Sequence, residues 1–196
     1  MSTDSWVDLY WLPLGAGDPV PCVRWNGRLF EALAARHDSR PRRALYHCAL
    51  EVGLHGQRYA VELAPAWGDP AAGAGRGVVA EGPVGMRWLG RSRFFRYEVR
   101  RWRDGAIPDA GYAVGEPARV SGSAALACRV LDLVDSFPLA TWGRDDQGTG
   151  DMWNSNSLVS WLLASSGTDT DSLAPPPGGR APGWSAGLVV AGRVTR

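Results

Sequence analysis

The 196-residue chain predicts an α+β domain, an antiparallel sheet packed against a buried helix and one or two further helices. Three observations carry that reading. The predicted order is strand, helix, several antiparallel strands, then helices, which departs from the strict alternation of a doubly wound sheet. Apolar residues alternate in several short aromatic and β-branched runs. One late segment, Ser155 to Ser165, is apolar on nearly every side, the pattern of a helix sunk in the middle of a fold. With 45% hydrophobic residues the chain has enough apolar surface for one sizeable core. It therefore reads as a single domain over 1–196, carrying a Gly/Pro/Ala-rich excursion at about 64–90. No internal repeat is present.

Trp6 to Leu14 is aromatic and β-branched, is closed by Pro13 and Gly15, and predicts the first strand. Asn26 to Arg36 predicts a helix with Asn26 as N-cap and Leu29, Phe30, Leu33 and Ala34 at helical spacing as its buried stripe. Ala44 to Val52 and Arg58 to Leu63 predict a hairpin through Gly53-Leu-His-Gly56. Ala64 to Gly85 reads as a surface excursion, and Arg93 to Trp102 as a strand closed by Asp104-Gly105. Ser123 to Val134 predicts a helix, Gly143 to Gly150 a polar loop, Pro175 to Gly183 a rigid loop and Leu188 to Ala191 a last strand.

Composition excludes several chemistries. All 21 basic side chains are Arg and none is Lys, so neither a Schiff-base lysine nor a phosphate loop ending in Lys-Ser/Thr exists here. The formal charge of +1 supplies no global field for nucleic acid or an anionic membrane. Enrichment in Arg, Ala, Gly and Pro fits a GC-rich bacterial genome. Cys22, Cys48 and Cys128 are odd in number and widely spaced, which argues against a disulfide framework or a structural zinc. The N-terminus lacks the basic-then-apolar pattern of a signal peptide, and no apolar run reaches membrane-spanning length, so a cytoplasmic protein is expected. No cofactor or metal is expected.

The chemically informative segment is Asp151-Met-Trp-Asn-Ser-Asn-Ser-Leu-Val-Ser-Trp-Leu-Leu163. Its Trp-Asn-Ser-Asn-Ser run leads straight into the buried helix. The first turn of such a helix offers unpaired N–H groups and the positive dipole end, where a nucleophile and a developing oxyanion are both stabilised. Asn154 or Ser155 as a plain helix cap is the competing reading. A nucleophile here needs a base from elsewhere, and the chain has three His. His37 follows the first helix among polar residues and His55 sits in a turn. His47 lies within a strand, sharing a face with Leu45, Ala49 and Glu51. Glu62, on the adjoining strand, orients the imidazole if the register places it on the same face. A core histidine bonded to a carbonyl is the alternative for His47. Cys48 beside it is either a small buried hydrophobe or a rival nucleophile.

An early-strand His, a polar group on the next strand and Asn-Ser-Asn-Ser opening a late buried helix together resemble the permuted papain-like superfamily. That group includes the NlpC-type and lecithin retinol acyltransferase-like proteins and an uncharacterised bacterial branch with Asn-Ser-Asn-Thr at the helix start. The resemblance covers the stretches around His47 and Glu62 and around Ser155. It implies amide or ester hydrolysis or acyl transfer, with His47 as base, Glu62 as orienting group, Ser155 at the nucleophile position and N–H groups near Asn156 as oxyanion donors. The family uses Cys where this chain has Ser155, and a hydroxyl is far less reactive without an excellent base. A catalytically inactive binding module for a peptide or small acid on the same fold is therefore the alternative.

Other features have bland and specific readings. Arg180, in Gly178-Gly-Arg-Ala-Pro-Gly-Trp184, is either a clamp for a substrate carboxylate or the partner of an internal acid. Trp184, with Asn154 and Asn156, joins Arg180 as a candidate substrate-binding residue. Asp145, Asp146 and Asp151 lack calcium-loop spacing and read as a solvated loop. Arginines from Arg91 to Arg103 interleave with aromatic residues but change parity, so nucleic acid is not the expected partner. A small-molecule or peptide substrate is, and the oligomeric state is left open.

Overall fold

Strand β1 (Trp6–Pro13) pairs antiparallel with β2 (Ala44–Leu54), matching Leu12 with His47 and Trp11 with Cys48. The computed structural model describes residues 5–17, 22–66, 75 and 77–194. From β2 the chain turns through His55 and Gly56, at φ 51° and 79°, into β3 (Gln57–Pro65). Two successive left-handed residues are what a tight two-residue hairpin demands, and Gly56 adopts that conformation freely. Strands β4 (Val78–Pro83), β5 (Arg96–Arg103) and β6 (Ala118–Ser121) complete the order β4-β5-β3-β2-β1-β6, antiparallel throughout. The two-residue β7 (Gly179–Arg180) adds one parallel pairing, to Ala44 and Leu45 of β2. The fold class is α+β, with seven strands and four helices among the described residues.

Helices α2 (Ala124–Leu133), α3 (Ser155–Ser165) and α4 (Trp184–Val194) belong to the main core. There Leu9, Leu50, Val52, Val61 and Val99 from the sheet meet Leu158 and Leu162 of α3. The other sheet face carries a smaller cluster, Leu12, Ala49, Ala60 and Ile107. Helix α3 is buried from Ser155 to Leu163, as its all-round apolar character predicts. Its start is locked by a capping box. Asn154 Oδ1 accepts from the N–H groups of Asn156 and Ser157, and Ser157 Oγ accepts in return from the Asn154 N–H. Gly187 of α4 lies so close to α3 that any Cβ there would collide with Ser160 Oγ and the Ser157 carbonyl.

Three expectations need correction. Leu188 to Ala191 is not a strand but the middle of α4, where Val190 and Ala191 pack into the core while Val189 is 43% exposed; tertiary packing overrides the strand propensity of the two valines. The excursion contains β4 and a 3₁₀ turn at Arg87–Arg91, which the sequence alone leaves unassigned; its residues 67–74 and 76 lie outside the described residues. The strand expected from Arg93 begins at Arg96, after a 3₁₀ turn over Arg93–Phe95. Helix α1 (Cys22–His37) starts earlier than Asn26 and buries the opposite stripe. Gly27, Glu31 and Ala35 face inward, whereas Leu29 and Leu33 are each 61% exposed.

Candidate active site

Strands β2 and β3 pair only from Leu54↔Gln57 to Leu50↔Val61. Beyond Leu50 they diverge, and β7 takes up the same edge of β2 again at Ala44 and Leu45. The stretch between is an opening in the sheet. A cavity of about 220 Å³ occupies it, lined by His47 and Cys48 from β2, Glu62 and Leu63 from β3, Asp109, and Ser155 from α3. The start of α3 is drawn to this opening because Asn156 Nδ2 donates to the Tyr46 carbonyl at 3.0 Å. Two distant stretches of chain thus border one space, and His47 and Ser155 both line the cavity.

They enter it from different sides. His47 has the parity of Ala49 and pairs with Leu12, so it belongs to the face with the smaller cluster. Cys48 and Leu50 point to the face that holds α3. The gap between β2 and β3 is what lets an imidazole on one face and a helix start on the other border the same space. No hydrogen bond joins His47 to Ser155.

His47 instead bonds Asp109, with Nε2 and Oδ2 2.7 Å apart. An ionised carboxylate only accepts, so Nε2 carries the proton and Nδ1 is left as the basic nitrogen. The imidazole is not sealed in apolar packing: its side chain is 23% exposed and that of Asp109 is 15% exposed. Asp109 thus holds the contact to the imidazole that was expected of Glu62. Glu62 does share the His47 face, by its parity with Ala60, but it is engaged by Arg100 at 2.8 Å. Arg100 also pairs with Glu98 at 2.7 Å, which completes a buried triad of two carboxylates and one guanidinium. Burial pushes the Glu62 carboxyl up, the Arg100 charge opposes that rise, and nearby Asp109 adds to it.

No family model, curated protein or solved structure matches this chain.

Ser155 is the first residue of α3, 5% exposed, with its side chain at the cavity wall. The expected oxyanion donors near Asn156 are taken, because Asn154 Oδ1 accepts from both Asn156 and Ser157. The Ser155 N–H has no acceptor among the described residues and is the donor that remains at the helix tip. Cys48 also lines the cavity, but burial pushes its thiol well up, which disfavours the thiolate a nucleophile needs.

The expected substrate-binding residues do not line the cavity. Asn154 caps α3 and donates to the Pro182 carbonyl, and Asn156 ties α3 to Tyr46 and Pro182. Trp184 packs on Trp11, with ring centroids 5.1 Å apart. Arg180 is no free clamp, since it pairs at 2.9 Å with Glu31, the internal acid of the alternative reading. The acidic side chains of this segment have partners within the protein. Asp145 accepts from the N–H groups of Thr149 and Gly150, and Asp151 from Gly183 and Ser185. No cluster of potential metal ligands occurs among the described residues. Within β5 the arginines have partners inside the protein, Arg96 on Glu81, Arg100 on the triad, Arg101 on Asp135 and Arg103 on Gln57.

Asp109 is the functional candidate that sequence reasoning missed. It lies 62 residues from His47, in the loop after β5, seated by the buried Ile107 two positions before it. An acid following Pro108 in a loop at a strand end was the available signal. No spacing rule links it to a particular histidine.

Proposed function

We propose that the protein is an acyl-transfer hydrolase or transferase acting on an amide or ester, with Ser155 as nucleophile, His47 as general base and Asp109 as the group that orients the imidazole. The observation that carries this reading is that Ser155 and the hydrogen-bonded His47–Asp109 pair border one cavity. In the first step His47 Nδ1 takes the Ser155 hydroxyl proton while Oγ attacks the substrate carbonyl carbon. The Ser155 N–H, at the positive end of α3, donates to the oxyanion, and Asp109 stabilises the imidazolium. The imidazolium returns its proton to the leaving amine or alcohol. Water, or an acceptor alcohol or amine, then releases the acyl group with the same base.

The arrangement is in keeping with a permuted papain-like fold in which serine stands at the cysteine position. A cytoplasmic setting belongs to the same proposal, in line with the free thiols of Cys48 and Cys128. No described helix is long and apolar enough to cross a membrane.

A second reading, an inactive module that binds a peptide or small acid, is favoured by the missing hydrogen bond between Ser155 Oγ and His47. Hydrolysis of a panel of amides and esters separates the two. The enzyme reading predicts that Ser155→Ala abolishes turnover and that Asp109→Asn lowers it by about 10²-fold or more. Turnover that survives Ser155→Ala unchanged sinks it.

A further inference from the structure

A second, larger concavity of about 940 Å³ adjoins the candidate active site, between α1 and the ends of β1 and β2. Leu14 lines both spaces. It is held in that position from two sides. Its N–H donates to the Leu45 carbonyl at 2.9 Å, and Gly27 of α1 comes so near that a Cβ there would strike the Leu14 side chain.

Arg24, Arg28, Arg42 and Arg43 line the groove, and all four are exposed. None forms an ion pair with a described residue. The acid in the groove, Glu31, does not neutralise them, because its carboxylate is buried and already held by Arg40 and Arg180. Trp25 and Leu29 lie among these guanidiniums at 65% and 61% exposure. Four cations without an acidic partner among the described residues, set around exposed apolar side chains, call for a ligand bearing both negative charge and apolar groups. Nucleic acid would supply the charge but would find one exposed aromatic, Trp25, to stack on. A bilayer presents a flat surface and does not fill a concave groove.

We propose that this groove binds an acidic peptide segment with interspersed apolar residues, and that the same chain continues past Leu14 into the His47–Ser155 cavity. The second half names the substrate class of the proposed enzyme and rests on that reading; the first half does not.

Fluorescence anisotropy with a labelled peptide of alternating Glu and Leu, and its Lys/Leu counterpart, tests the groove directly. The expected result is binding of the Glu/Leu peptide alone, weakening as salt shortens the screening length. Arg42→Ala combined with Arg43→Ala should cost about tenfold or more in affinity. Both substituted arginines are exposed, and circular dichroism verifies that the variant is folded. Equal affinity for the Lys/Leu peptide, no loss in the double variant, or tighter binding of a single-stranded oligonucleotide or anionic vesicles overturns the proposal. Charge-dependent peptide binding with an unreactive Ser155 keeps the groove and removes the hydrolase. A reactive Ser155 without such binding does the reverse.

Discussion

Helices α3 and α1 both carry leucines at helical spacing, yet they meet the rest of the molecule in opposite ways. Helix α3 buries Leu158, Val159, Trp161, Leu162 and Leu163 and brings its first residue to the cavity. Helix α1 turns Trp25, Leu29 and Leu33 to solvent and docks through Gly27, Ala35 and an acid, Glu31. Two forces account for the reversal. Gly27 permits the close seating of Leu14, and Glu31 gathers Arg40, Arg180 and the Arg43 N–H around one buried carboxylate. Apolar spacing identifies a helix, but close approach and ionic locking decide which face it buries.

The contrast yields graded effects on stability. Leu162→Ala, in the fully buried stripe of α3, should lower the unfolding free energy by about 3 kcal/mol. Denaturant unfolding checks this, and a loss of less than about 1 kcal/mol would show that α3 can collapse around the hole. Glu31→Gln should cost less, about 2 kcal/mol, because Arg40 and Arg180 keep some contact with water. It should also change the pH dependence. The hydrogen bonds from Arg40 are the chief cause that holds the Glu31 carboxyl down at about 2, against an ordinary 4.5. A depressed carboxyl stabilises the fold fully above about 4.5, and that contribution is lost as pH falls toward 2. Stability of Glu31→Gln should therefore fall less steeply than wild type across that window, and identical slopes would remove Glu31 from the account. Leu33→Ala should change stability by no more than about 0.5 kcal/mol. A larger loss would mean that the outer face of α1 is covered in solution.

What was legible in the sequence follows the same division. Helix α3 was readable because Asn154 is a good cap and the residues after it are apolar on all sides, so no choice of face was needed. The β2–β3 hairpin was readable from Gly56 and the flanking alternation. That His47 and Ser155 border one cavity was expected only through the resemblance, because the opening between β2 and β3 that permits it leaves no local trace. Asp109 was hidden because its partnership with His47 is made by tertiary folding alone. Helix α4 was hidden because Val189 and Val190 favour a strand in isolation, while the helix is held by packing against α3 at the close approach that Gly187 permits. The docked face of α1 was misjudged because a buried glutamate with arginine partners cannot be recognised until those partners, nine and 149 residues away, are in place.

The central claim is that the His47–Asp109 pair activates a serine at the tip of a buried helix. Its most direct test is the rate at which a fluorophosphonate modifies Ser155, with the site located by mass spectrometry in wild type and in His47→Ala. The account predicts stoichiometric labelling of Ser155 in wild type and a rate lower by about 10²-fold or more without the imidazole. A wild-type Ser155 that stays unlabelled, or one that reacts equally fast in His47→Ala, would contradict it.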